Sequence, residues 1–459
     1  MTSAVHQVDF EPSVVGKNTY ISRRRTARLD VPAFLSLTLI LLYCLPANLI
    51  FPDLTYAGRP ALLLGMMLWA WWIVAHLSPW LFVVGPQPMR WVSLLFLFSV
   101  MLSYLTGMLR GLTTLESNAQ NFAILSTFEF LGVLLCAADG IPNWIRLHSI
   151  LRVFCWCAAF MGLVAFIQST MKIDVSQYLV LPGFQIKGDF VGFNSRGDGG
   201  LFRVAGTATH YIEYSAVLAM SLPFAVHYAR FAPTRRQRQV FIGLALFIAA
   251  AVPISISRTG IVALGATLVI MVPVWTWRVR YHLLVLGVLM IGVLGALRPG
   301  IIGTLTALFS KADEDPSISG RTEDYAHVEQ WFSQRPILGR GPRTLIPDLY
   351  IILDNQWLYS LVTQGIIGLL ALALMHVVAI WLATLAFRRS KSAEDRHLAM
   401  ALICAQVISL LVGATFDSLS FTTFSTTWAL LTGMCGAVWR LTHSARTVRQ
   451  STIRRLIEE

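Results

Sequence analysis

Charge is scarce in this 459-residue chain: Asp, Glu, Lys and Arg together make up only 13% of it. Hydrophobic residues fill 56% and the mean hydropathy is +0.63, a composition that excludes an ordinary water-soluble globular protein. Cysteine is scarce as well. All six (Cys44, Cys136, Cys155, Cys157, Cys404 and Cys435) lie in or at the ends of apolar runs, so no loop carries a disulfide pair or thiolate zinc site. Glycine-rich phosphate cradles are missing too: "SRGDGG" (195–200) and "AGT" (205–207) are turn material and match neither GxxxxGK[ST] nor GxGxxG, which argues against a nucleotide site. The acidic "DEDP" (313–316) lacks the spaced ligands and glycine of a calcium loop, so no metal or other cofactor is expected. The first thirty residues are polar, end in Arg23, Arg24, Arg25 and Arg28, and do not resemble a cleavable signal peptide.

What the chain does have is length without charge. A bilayer crossing needs roughly 20 mostly apolar residues, and about twelve such runs are legible, near 31–50, 60–77, 91–109, 121–138, 152–170, 209–229, 239–256, 259–277, 281–297, 356–387, 397–415 and 422–440. The expected fold is therefore an all-α polytopic membrane protein: a transmembrane domain over 31–440 flanked by tails at 1–30 and 441–459. The basic N-terminal cluster, "RFAPTRRQR" (230–238), "RVR" (278–280), "FRRSKSAEDR" (387–396) and the C-terminal tail all fall on one side. The positive-inside rule makes that side, and both termini, cytoplasmic. The net charge of +12 follows mostly from this bias, and no nucleic-acid partner is needed to explain it.

Two long outer loops, about 171–208 and 298–355, then hold arginines that the topology rule disfavours. Arg203 lies in the first. Arg321, Arg335, Arg340 and Arg343 lie in the second, which is expected to be partly helical, and Arg258 sits in a short turn between two spans. An ionisable group held at membrane depth marks a functional site by default. Because guanidinium presents parallel hydrogen bonds to phosphate oxygens, Arg203, Arg258 and Arg321 are candidate pyrophosphate ligands. Singly, each also fits a solvated charge or a loop ion pair. His210 and Glu213 share one face at the start of a span and are possible supporting residues, as is Arg340.

"ILDNQW" (352–357) places a carboxylate and two amides at the mouth of a long apolar run. A carboxylate such as Asp354 is chemically able to take a proton from a hydroxyl about 3 Å away, and Asn355 and Gln356 stand beside it, able to orient it or hold an acceptor. The plain alternative is a helix N-cap, which Asp and Asn both favour.

These stretches together resemble the O-antigen ligase and polymerase superfamily (Wzy/WaaL-like). The resemblance runs over about residues 200–375, through "RVAGTATHYIEYSAVLAMSLP", "SISRTG" and "GRTEDYAHVEQWFSQRPILGRGP" followed by "LDNQWLYSLVTQGIIGLL". It implies an integral-membrane glycosyltransferase with a GT-C-like architecture in the cytoplasmic (inner) membrane. Such an enzyme takes a saccharide from a polyprenyl-diphosphate carrier at the outer face and passes it to a glycan or lipid-glycan acceptor, with inversion and without metal. Its partners would be that donor, that acceptor and membrane lipid. By the same resemblance Arg203, Arg258 and Arg321 bind the donor pyrophosphate and Asp354 activates the acceptor hydroxyl. Many ligases carry His where this chain has Asp354. A polytopic transporter or flippase for a lipid-linked glycan is the alternative, although no internal repeat supports it.

Overall fold

The computed structural model describes residues 30–54, 57–77, 86–187, 194–196, 201–297, 302, 303, 306 and 316–443, with backbone alone at 194–196, 201, 202, 290, 294 and 316–323. The Arg23 to Arg28 cluster, Gly197 to Gly200, Lys311, the acids at 313–315 and the C-terminal tail lie outside the described residues. Among the described residues the helices are α1 Val31–Cys44, α2 Pro60–His76, α3 Pro88–Leu109, α4 Thr114–Gly140, α5 Trp144–Met171, α6 Tyr211–Phe231 and α7 Arg235–Ile254. They continue as α8 Arg258–Met271, α9 Trp277–Leu297, α10 Pro316–Gln334, α11 Gln356–Arg389, α12 Ala393–Val412 and α13 Thr422–Thr442. Every apolar run of the sequence falls on one of these, and α10 is the surface helix expected in the second loop. Six of them, α3, α4, α5, α7, α11 and α12, are long and apolar enough to cross a membrane by length and composition.

Side chains fix where the helices begin. Thr113 and Glu116 close a reciprocal capping box at α4, while Asp30, Asn143, Thr234 and Ser392 cap α1, α5, α7 and α12 by accepting from backbone N–H groups. The last helix, α13, is buried along almost its whole length. It can be rich in Thr, Ser and Gly because it packs against other helices rather than lipid, where small residues allow close approach. A Cβ on Gly433 would stand 2.2 Å from the carbonyl oxygen of Leu134 in α4, and one on Gly132 would stand 2.1 Å from that of Gly65 in α2. Several polar side chains in this core pair with one another: Trp428 donates to Gln406 Oε1 at 2.9 Å, and Thr426 donates to Glu129 at 2.6 Å.

An all-helical reading needs one correction. Leu49–Ile50 (β1) pairs antiparallel with Gln185–Ile186 (β2), and Asn194–Arg196 (β3) with Leu201–Arg203 (β4). Backbone groups in a connection still need partners, and the first long loop finds some of its own against the α1–α2 connection, where Ala47 N–H also donates to the Thr207 carbonyl at 2.8 Å.

Side-chain bonds define two ends of the bundle. At one, Arg146 pairs with Asp30, Arg90 pairs with Asp139 at 3.1 Å, and buried Arg440 donates to carbonyls at the end of α4. The basic connections α6–α7, α8–α9 and α11–α12 follow to this end from the helix order. The other end collects the long loops, the Arg258 turn and the start of α11.

Candidate active site

The long apolar run beginning at Gln356 is one helix with a break. Gly365 has φ 67° and ψ −171°, a conformation essentially confined to glycine. The break frees backbone groups, and the turn "RPILGRGP" (335–342) takes them up. Arg340 and Gly341 N–H donate to the carbonyls of Val362 and Thr363 at 3.1 and 2.9 Å, while Ile366 and Ile367 N–H donate to those of Pro336 and Ile337 at 2.9 and 3.2 Å. Gly339, at φ 70°, is needed for the same reason: a Cβ there would stand 2.4 Å from Thr363 backbone, and one on Gly365 equally close to Ile337. The loop is thus spliced into a membrane helix by main-chain bonds, which holds Arg340 and Arg343 in fixed positions.

The two arginines do different work. Arg340 donates to Tyr350 Oη at 2.9 Å, Tyr350 donates to Glu116 at 2.9 Å, Glu116 pairs with Arg110, and Arg110 returns to the Arg340 carbonyl at 2.9 Å. That closed ring makes Arg340 a strut between the loop and the start of α4. Arg343, half-buried with φ 57°, instead donates to the Ser420 carbonyl at 2.6 Å and lies over the Phe122 ring. It stands where two clefts of about 610 and 710 Å³ meet, sharing that junction with Tyr359 and Ser420. Asp417 lines the second cleft.

Ser420 and Asp417 belong to the short connection between α12 and α13, on which the site converges. Thr415 is hydrogen-bonded to Thr259 at 3.0 Å, one residue beyond Arg258, which opens α8. Gln356 N–H donates to the carbonyls of Gly413 and Phe416, and its side-chain oxygen accepts from Leu419 N–H at 2.8 Å. Arg59, at the start of α2, donates to Thr422, and Glu213 accepts from Phe424 N–H at 3.2 Å and Thr209 N–H at 2.9 Å. His210 caps α6 and touches the Phe421 ring. Arg203 donates to Tyr211 Oη at 2.7 Å, and its buried Nε has no hydrogen-bond partner among the described residues.

Of the residues singled out in the sequence, Asp354, Arg258, His210, Glu213, Asn355 and Gln356 are therefore gathered around one connection, with Arg203 alongside through Tyr211. Arg340 lies in the strut, and the side chain of Arg321 on α10 lies outside the described residues. Asn355 is the N-cap of α11, accepting from Trp357 and Leu358 N–H at 2.9 and 3.2 Å, and Gln356 ties that helix start to the connection. The capping alternative is thus observed at Asn355, and it leaves half-buried Asp354 as the first residue before the cap.

Electrostatics sharpen the picture. Burial pushes the Asp417 carboxyl up to about 6, helped by the charge of Asp354 and opposed by the Ser420 side chain and Arg343. Burial lowers the Arg343 guanidinium, against Tyr359 and Asp417. Burial also lowers Arg59, and the like charge of Arg343 adds to that shift. Two carboxylates and two half-buried guanidinium groups thus share one field. Arg59, Arg343 and Asp417 were not among the sequence candidates. Arg343 was visible only as one of several loop cations, and "GATFDSLSF" reads as a plain turn between spans.

A metal is conceivable elsewhere. Among the described residues His148, His227 and Glu394, at the opposite end, bring ligand atoms within 4.8 Å of one another. Trp275 donates to His397 Nε2 at 2.9 Å, which puts the His397 proton on Nδ1, facing His227 Nδ1 at 3.3 Å. His227 then accepts there and carries its own proton on Nε2, so it offers that trio a donor and no lone pair.

A comparison with curated proteins finds no match. The family model described as O-Antigen ligase matches residues 242–373, the stretch that contains Arg258, the spliced loop, Arg343, Asp354 and the break at Gly365. Over those residues, less than a third of the chain, the protein is similar to the O-antigen ligase family.

Proposed function

We propose that the protein transfers a saccharide from a polyprenyl-diphosphate carrier to the hydroxyl of a glycan or lipid-glycan acceptor, at the outer face of the cytoplasmic membrane. The observation that carries this reading is the cleft junction, where Arg343 lies in the field of Asp417 and Asp417 in that of Asp354, beside the matched O-antigen ligase segment. Asp354 takes the proton of the acceptor hydroxyl as its oxygen bonds to the anomeric carbon. The bond from that carbon to the diphosphate breaks, and the polyprenyl diphosphate leaves with the electron pair. Displacement from the back face inverts the anomeric centre. The leaving charge falls to guanidinium groups, which act strongly in a partly desolvated site. Arg343 and Arg59 join Arg203, Arg258 and Arg321 as candidates for that role. The like charge of Arg343 acts on Arg59, opposed by Glu213 and Glu129, and a polyanionic ligand between the two guanidinium groups would relieve their repulsion.

The basic connections at the end opposite the cleft support twelve crossings with both termini cytoplasmic. The test is a deletion strain in which polyprenyl-linked glycans and envelope polysaccharide are analysed. Loss of long chains identifies a polymerase, and intact chains left unattached identify a ligase. Unchanged glycans of both kinds would overturn the reading.

A further inference from the structure

At the end of the bundle remote from the cleft, the α6–α7 turn and the near ends of α5 and α7 enclose an open groove of about 630 Å³. Arg152, Arg236 and Gln237 line it nearer the helix ends, and Trp156, Val240 and Phe241 line it further along the helices. The order is the same on both walls. On α5, Arg152 is followed one turn later by Trp156, and on α7, Arg236 and Gln237 are followed one turn later by Val240 and Phe241. One helical turn is about 5.4 Å, so cationic and polar groups give way to apolar ones over that depth, running from the helix ends towards the middle of the bundle.

Both walls are helices long and apolar enough to cross a membrane, and Trp156 and Val240 are exposed on their outer surfaces. Arg152 is braced over the Tyr228 ring at 5.6 Å, and Trp156 and Tyr228 both contact Phe241, with ring centroids 6.4 and 5.0 Å away. Arg238 is held by its bond to the Ala232 carbonyl at 2.7 Å, which fixes the turn. Arg235 adds an exposed cation at the start of α7, residues 230–241 contain no carboxylate, and the carboxylate in the field of Arg152 is Glu394 at the start of α12.

We infer that this groove binds the phosphate headgroup of an anionic membrane phospholipid, with Arg152 and Arg236 on the phosphate and the Trp156–Val240–Phe241 floor against the start of an acyl chain. The charge gradient along the groove is the gradient of such a lipid entering from the adjacent leaflet, and a basic recess between helices suits this headgroup class. None of these residues lies at the transfer cleft, so the inference stands apart from the proposed chemistry.

Native mass spectrometry of the full-length protein in detergent, with added phosphatidylglycerol or phosphatidylcholine, tests it. Wild type should retain phosphatidylglycerol in preference, and Arg152→Gln with Arg236→Gln should weaken retention by about fivefold for each arginine removed. Arg236→Lys, which keeps the charge, should retain most of the binding and controls for folding. Trp156→Ser should weaken the lipid but not inorganic phosphate. Equal retention of the two lipids by wild type, equal phosphatidylglycerol retention by wild type and the double Gln variant, or displacement of the lipid by millimolar inorganic phosphate would overturn the assignment.

Discussion

Arg343 donates from Nη2 to the carbonyl oxygen of Ser420 at 2.6 Å, joining the loop spliced into α11 to the connection between α12 and α13. The bond fixes one end of the guanidinium at the junction of the two clefts. Its charge is thereby held beside Asp417 rather than being free to follow solvent.

The first prediction concerns that charge. Arg343→Ala should lower glycan transfer by about 10² to 10³, the usual loss when one preorganised donor to a developing anion is removed. Arg343→Lys should recover part of the rate, because it restores the charge but not the fork. Initial rates with a purified lipid-linked donor check both. Wild-type rates in Arg343→Ala would remove it from the site.

Asp417 gives a pH dependence with a definite sign. Its carboxyl ionises at about 6, and in the field it shares with Asp354 that ionisation makes Asp354 the stronger base. Transfer should therefore rise with pH through an inflection near 6 that Asp417→Asn abolishes. Stability should move oppositely. A folded-state value raised above the ordinary 3.8 contributes stability that is full below that value and lost as pH rises through about 6. Unfolding midpoints of wild type and Asp417→Asn, compared at pH 4 and pH 7.5, should shift in favour of the variant at the higher pH.

The splice makes a prediction about glycine. Gly365→Ala and Gly339→Ala each force a Cβ to 2.4 Å from facing backbone at positive φ. Each should cost roughly 1–3 kcal/mol in backbone conformation alone, with the clash in addition. Thermal unfolding in detergent checks the size. Ala tolerated at both positions without loss of stability would contradict the description of the break.

The Arg340 strut should behave as structure. Glu116→Ala removes the capping box and the partner of Arg110 and Tyr350 together. Cap loss alone costs about 1 kcal/mol. Arg340→Ala should lower the unfolding midpoint likewise, and at a temperature where it remains folded it should keep KM for the donor close to wild type. A raised KM without loss of stability would place Arg340 on the substrate.

The helices were legible because lipid leaves little choice: each run had to satisfy its backbone internally and show apolar side chains outward. Even α13, rich in Thr and Gly, kept enough apolar length to be read. The candidate site was legible only where residue type was unusual for its position, as with Arg258 at a short turn or Asp354 before a span. Asp417 and Ser420 gave no such signal. The connection that carries them is bonded to Arg343 through Ser420, to Gln356 through Leu419 and to Thr259 through Thr415, partners distant in sequence that meet only after the helices pack. The break at Gly365 was hidden inside an apolar run whose excess length was its one outward sign.

The central claim is tested most directly by reconstituting the purified full chain with a polyprenyl-diphosphate-linked saccharide and a glycan acceptor, and following the anomeric product. The account predicts a new glycosidic bond of inverted configuration with release of polyprenyl diphosphate. It also predicts loss of that product in Asp354→Asn and Arg343→Ala variants that remain folded. Product formed equally by wild type and both variants, or a product of retained configuration, would contradict it.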